Sequence, residues 1–182
     1  MNLLAIDTTT DKLIVALKLN EEICFRNIET NGKGHNKLLL QVIDEIMNEK
    51  GIKLSEVDCF GVVVGPGSFT GIRIGVATVN ALAFATQKPI VEITSLEEYD
   101  DGTEKTVLMD CRHGNFYAGK FFNNESVYFN TNEEEINSAD NIFYFTESDP
   151  NLIIKKCMEK AEKNNFTVQA RPFYLKKSSA ER

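Results

Sequence analysis

Two aspartates each close a short apolar run: Asp7 follows residues 3–6 and Asp110 follows residues 107–109. An acid in that place can hold a metal–phosphate or activate a water, and it can equally cap the N–H groups of a tight turn. Thr8, Thr9 and Thr10 come next after Asp7 and add three hydroxyls that can meet a phosphate. A second loop, Gly65-Pro66-Gly67-Ser68-Phe69-Thr70-Gly71, offers an anion its backbone N–H groups and the positive end of a helix dipole. The same glycines also suit a structural turn that lets a helix pack closely. No Gly-Lys-Ser/Thr follows, so this is not a P-loop, and the spacing is not G-x-G-x-x-G. Ser68 lies in no G-x-S-x-G elbow.

The two histidines, His35 and His113, are too far apart in sequence for a His-x-x-x-His metal pair. Cys24, Cys59, Cys111 and Cys157 are scattered without a C-x-x-C pair, the pattern of single reduced thiols. Neither a metal site nor a catalytic set of side chains is expected.

The elements that must position these residues follow from the apolar pattern. Residues 60–64 read as a buried strand stopped by the glycine turn, and Ser68 or Thr70 can cap the helix that follows. That helix, residues 70–85, is apolar or small on nearly every face, with Arg73 its one charge, so it must be covered all round. Gly71, Gly75, Thr78, Ala81 and Ala85 recur at three- and four-residue spacing, a line along which a second helix can approach. Residues 3–6, 13–17 and 23–28 form three strands of an antiparallel meander. Asn36 caps a helix over 36–50 that Gly51 stops, and its leucines make an apolar face wider than one sheet needs. Residues 90–93 form the next strand, and a short helix begins at Ser95.

A charged loop at 100–105 divides the chain into lobes 1–101 and 102–182. Beyond it the pattern restarts: 107–110 mirrors 4–7, and 115–122 follows at the offset of 12–19. Strands at 126–129, 142–145 and 168–175, a helix at 151–163 and a polar tail at 176–182 complete an abbreviated second lobe. The chain has 182 residues and a net charge of −7, which argues against nucleic acid as a tight partner of this chain alone. No basic n-region opens it, and no stretch approaches the roughly 20 apolar residues of a membrane span, so a cytoplasmic protein is expected.

Taken in order, LLAIDTTT, GHNKLLLQVIDEI, GPGSFTGIRIGVATVNALA, LMDCRHGNFYA and PFYLKKSSAE resemble the bacterial TsaB (YeaZ) family, glycoprotease-like relatives of the TsaD transferase. The match covers roughly residues 1–122 and the last dozen, and the GPGSFTGIRIG block is its most specific part. The resemblance implies an α/β, actin/hexokinase-like (ribonuclease H-like) fold of two duplicated βββαβα lobes. It also implies a non-catalytic partner of TsaD in threonylcarbamoyl modification of the tRNA adenosine beside the anticodon. TsaE joins that assembly, tRNA is engaged indirectly, and the family forms a homodimer when TsaD is missing. The helices at 36–50 and 70–85 then supply the contact surface, with Leu38, Leu39, Val42, Ile72, Gly75, Val76, Val79 and Ala83 at or beside it. Asp7-Thr8-Thr9-Thr10 lacks the glycine usual in the phosphate loop of nucleotide-binding relatives, so ATP or ADP is expected only at the partner interface. An ATP-binding phosphotransferase or ATPase of the same fold is the alternative. A metallopeptidase, the activity behind the glycoprotease label, lacks its histidine pair.

Overall fold

A computed structural model describes residues 1–31, 34–123, 125–136 and 141–175. β1 (Leu3–Asp7), β2 (Lys12–Leu19) and β3 (Glu22–Glu29) form the expected antiparallel meander. β4 (Cys59–Val63) and β5 (Ile90–Ile93) join it in parallel, giving the order β3-β2-β1-β4-β5. β6 (Lys105–Asp110), β7 (Asn115–Phe122), β8 (Glu125–Asn132) and β9 (Ile142–Tyr144) repeat the arrangement as β8-β7-β6-β9, one strand short. β9 runs parallel to β6 as β4 does to β1. The fold is α/β and actin/hexokinase-like, with the second lobe abbreviated: among the described residues no helix stands between β8 and β9.

Helices cover both faces of the first sheet. α1 (His35–Lys50) and α2 (Phe69–Thr86) pack on Leu4, Ile6, Leu13, Val15 and Phe60. α3 (Pro150–Glu162) comes from beyond the charged loop, yet it packs Ile153, Ile154 and Cys157 on the opposite face, against Leu3, Ala5 and Ala16. Ser68 is the α2 cap, its hydroxyl accepting the Gly71 N–H at 3.3 Å. Gly51 ends α1 with φ 64°.

Three expectations need correction. Gly34, not Asn36, occupies the N-cap of α1, and Asn36 lies in the first turn. Residues 168–175 are no strand. Thr167 makes one bridge to Ile90, after which the backbone is taken up by Asn80 (N–H donated from Ala170 at 2.7 Å, carbonyl accepting at 3.0 Å) and by Val64, whose carbonyl accepts from Phe173 at 2.8 Å. Bonds to a helix side chain and to a strand end leave no ladder to extend. Finally, α2 is by length (18 residues) and mean hydropathy (1.3) apolar enough to cross a membrane, where the sequence reading found no such stretch. A third of that helix lies in this chain's own core, and core helices of soluble proteins have the same composition. The polar tail at 176–182 lies outside the described residues.

Candidate functional site

The β1–β2 turn is built inward. Asp7 is fully buried; its Oδ1 accepts the Thr9 N–H at 2.7 Å, and its Oδ2 has no hydrogen-bond partner. Thr8 Oγ1 donates to the Gly71 carbonyl at 2.7 Å, and Gly75 lies over the same side chain, where a Cβ would come within 2.5 Å of Oγ1. The Thr9 hydroxyl meets Ser95 Oγ at 3.3 Å, and Ser95 in turn donates to the Pro66 carbonyl at 2.8 Å. The Ser68 N–H donates to the Thr9 carbonyl at 2.6 Å. The glycine loop and the threonine loop therefore satisfy each other. Only Thr9 and the half-buried Thr10 reach the neighbouring cleft, a space of about 610 Å³ that also touches Ser68, Asp110, Arg112 and Tyr117.

Asp110 is exposed and caps its own turn, its Oδ1 accepting the Arg112 N–H at 2.7 Å. His113 is exposed in the same turn, whereas His35 is buried with its Nε2 at 2.8 Å from Thr30 Oγ1. No group of three His, Cys, Asp or Glu residues that could hold a metal occurs among the described residues. The cleft thus offers hydroxyls, the carboxylates of Asp11 and Asp110, and the Arg112 guanidinium.

Two carboxyls behind the cleft are perturbed. Burial pushes Asp7 above the ordinary carboxylate range, opposed by the nearby Ser148, the Thr9 N–H and His35. Burial raises Glu98 well above it, and the neighbouring Asp7 charge adds to that. Glu98 Oε1 accepts the Ser148 hydroxyl at 3.1 Å and Oε2 the Asp149 N–H at 3.2 Å. Sequence reasoning missed Glu98 and Ser148. Glu97 and Glu98 look alike in the sequence, but Glu97 turns outward to Lys160 at 2.8 Å while Glu98 is 3% exposed.

The helix pair divides into two faces. Leu39, Val42, Ile72, Gly75, Val76, Val79 and Ala83, expected at a contact surface, are buried in this chain's own core, and only Leu38 is half-exposed. This corrects their assignment: they face the first sheet, and Gly71 and Gly75 admit Thr8 rather than a second helix. The outward stripe of α2 runs Arg73, Ala77, Ala81, Phe84 and Ala85, and α1 exposes Leu40. Phe84 is 79% exposed and Leu40 57%.

The family described as TsaD, tRNA N6-adenosine threonylcarbamoyltransferase, matches residues 27–180. The chain is 40% identical over 96 residues to the tRNA threonylcarbamoyladenosine biosynthesis protein TsaB of Haemophilus influenzae, covering 53% of this chain and 40% of that one. It is 28% identical over 142 residues to the protein of the same name from Escherichia coli, covering 74% and 61%. It therefore spans less than two thirds of either relative. YeaZ from Pseudomonas aeruginosa shares the fold, with a TM-score of 0.78 at 22% identity over 96% of this chain and 99% of that one. With the family match extending over well more than half of its residues, the chain belongs to the TsaD family, in its TsaB (YeaZ) branch.

Proposed function

We propose that this chain serves tRNA threonylcarbamoyladenosine biosynthesis as a non-catalytic subunit that binds the TsaD transferase through the outer face of α1 and α2. The observation that carries this is the exposure of Phe84 beside a row of alanines on a helix with one charge, together with the exposure of Leu40 on α1. The small residues of the α2 stripe let a partner helix approach closely, and burying Phe84 and Leu40 supplies the driving force. The names carried by the TsaB relatives support the pathway. In the same reading TsaE joins the assembly, a homodimer forms through this face when TsaD is absent, and tRNA meets the complex rather than this acidic chain alone.

Size-exclusion chromatography with light scattering, on the chain alone and mixed with TsaD of the same organism, tests it. A homodimer that gives way to a defined heteromer is expected; a monomer indifferent to TsaD overturns the proposal. The second reading, an ATP-binding phosphotransferase, draws on the cleft between Thr10 and Arg112. It requires measurable nucleotide binding by the isolated chain.

A further inference from the structure

Behind the cleft three segments distant in sequence converge: the end of β1 at Asp7, the 3-10 turn Glu97–Tyr99, and the entry to α3 at Ser148 and Asp149. Asp7 is 0% exposed and Glu98 3%, and Ser148 is also buried. The hydrogen bonds do not balance. Asp7 Oδ1 and Glu98 Oε2 each accept a backbone N–H, from Thr9 and Asp149. The Ser148 hydroxyl has one proton and gives it to Glu98 Oε1. Asp7 Oδ2 is left with no hydrogen-bond partner among the described residues, although Ser148 is near enough to act on the Asp7 carboxyl.

A buried carboxylate oxygen without a donor is costly, and two adjacent buried carboxylates without a cation are costlier still. One proton removes both problems. Placed on Asp7 Oδ2 it leaves the pair with one negative charge instead of two, while the Ser148 hydroxyl keeps its bond to Glu98. A hard metal ion fits less well, because it calls for about six oxygen ligands and half of the carboxylate oxygens are already held by N–H groups. We propose that Asp7 and Glu98 hold a single proton between them through Ser148, and that this proton latches the start of α3 to the end of β1.

The other groups facing the pair are His35 from α1 on the Asp7 side, and Asp149, Tyr99 and Cys157 on the Glu98 side. Of these, His35 is the one imidazole facing the pair and must be controlled for. With both carboxyls raised by burial, the native state binds more protons than the unfolded chain above the ordinary value near 4. Stability contributed by the pair is therefore full at low pH, is lost as pH rises through the raised native values, and leaves a constant penalty beyond them.

The test compares thermal unfolding of the wild type with Glu98→Gln, Asp7→Asn and His35→Gln between pH 5 and pH 8, with an infrared spectrum of each at pH 7. The wild type is expected to lose at least about 3 °C of Tm over that interval relative to Glu98→Gln, while His35→Gln keeps the wild-type slope. A protonated-carboxyl band is expected in the wild type and absent from Glu98→Gln or Asp7→Asn. The infrared measurement stands even if a variant fails to fold, since a wild-type spectrum without the band overturns the proposal. So does a slope that disappears with His35→Gln. So does a rise in wild-type Tm at pH 8 on adding magnesium, calcium, sodium or potassium chloride that Asp7→Asn abolishes, which would put a cation where the proton is assigned.

Discussion

Thr8 and Gly71, 63 positions apart in sequence, are locked together by a bond from the threonine hydroxyl to the glycine carbonyl at 2.7 Å. There is no room between them: a methyl group on residue 71 would overlap the Thr8 carbonyl oxygen. The first turn of α2 is thereby pressed onto the β1–β2 turn, which takes the Thr8 hydroxyl away from the cleft and fixes the inward side of the helix.

Gly71→Ala is expected to destabilise by roughly 3 kcal/mol, because the overlap is with backbone and neither partner can yield. Thr8→Val, which removes the hydroxyl and keeps the shape, is expected to cost about 1 kcal/mol. Urea unfolding of both variants checks this. A Gly71→Ala variant as stable as the wild type would mean the two turns are not in contact.

Leu40→Glu and Phe84→Glu place a charge on the outer helix face. Each is expected to change stability by less than about 0.5 kcal/mol, since both positions are exposed. Each should abolish homodimer and TsaD heteromer alike in light scattering. Val79→Glu, by contrast, should fail to fold, since Val79 is fully buried.

Isothermal titration of ATP and of ADP into the isolated chain is expected to give no binding at micromolar concentration, because the hydroxyls of Thr8 and Thr9 are engaged inside the protein. Saturable binding that Arg112→Ala weakens would favour the phosphotransferase reading.

Burial pushes the Cys59 thiol up to about 12 and Cys157 higher still. The thiolate is the reactive form, so neither should label with iodoacetamide at pH 8 in the native protein. Cys24 and Cys111, which are only partly buried, are expected to react first. Mass spectrometry of the labelled chain, with and without denaturant, separates the two pairs.

Much of this architecture can be read directly from residue types. Apolar runs ended by Gly or Asp locate β1, β4 and β6, and the recurrence of that pattern marks where the second sheet begins. Ser68 and Gly51 mark helix ends because their backbone requirements are local. The phase of α2 is another matter. A helix apolar on every side gives no contrast from which to tell core from contact surface, so the residues picked for the surface were those facing the sheet. Glu98 was illegible for a related reason: its burial is imposed by the arrival of Ser148 and Asp149 from 50 positions away. Residues 168–175 have strand-like composition, but pairing depends on a free partner, and Asn80 intercepts the backbone at Ala170.

The placement of α3 has a consequence for the order in which the molecule assembles. This helix begins at Pro150 and lies across strands drawn from residues 3–93, so one face of the first sheet is covered by contacts between remote parts of the chain. Closing so large a loop is slow, and until it closes Leu3, Ala5, Ile14 and Val91 have no cover on that face. The sheet that forms first in sequence is finished last in time, and an unfinished chain presents an apolar surface on which chaperones or other unfinished chains can act.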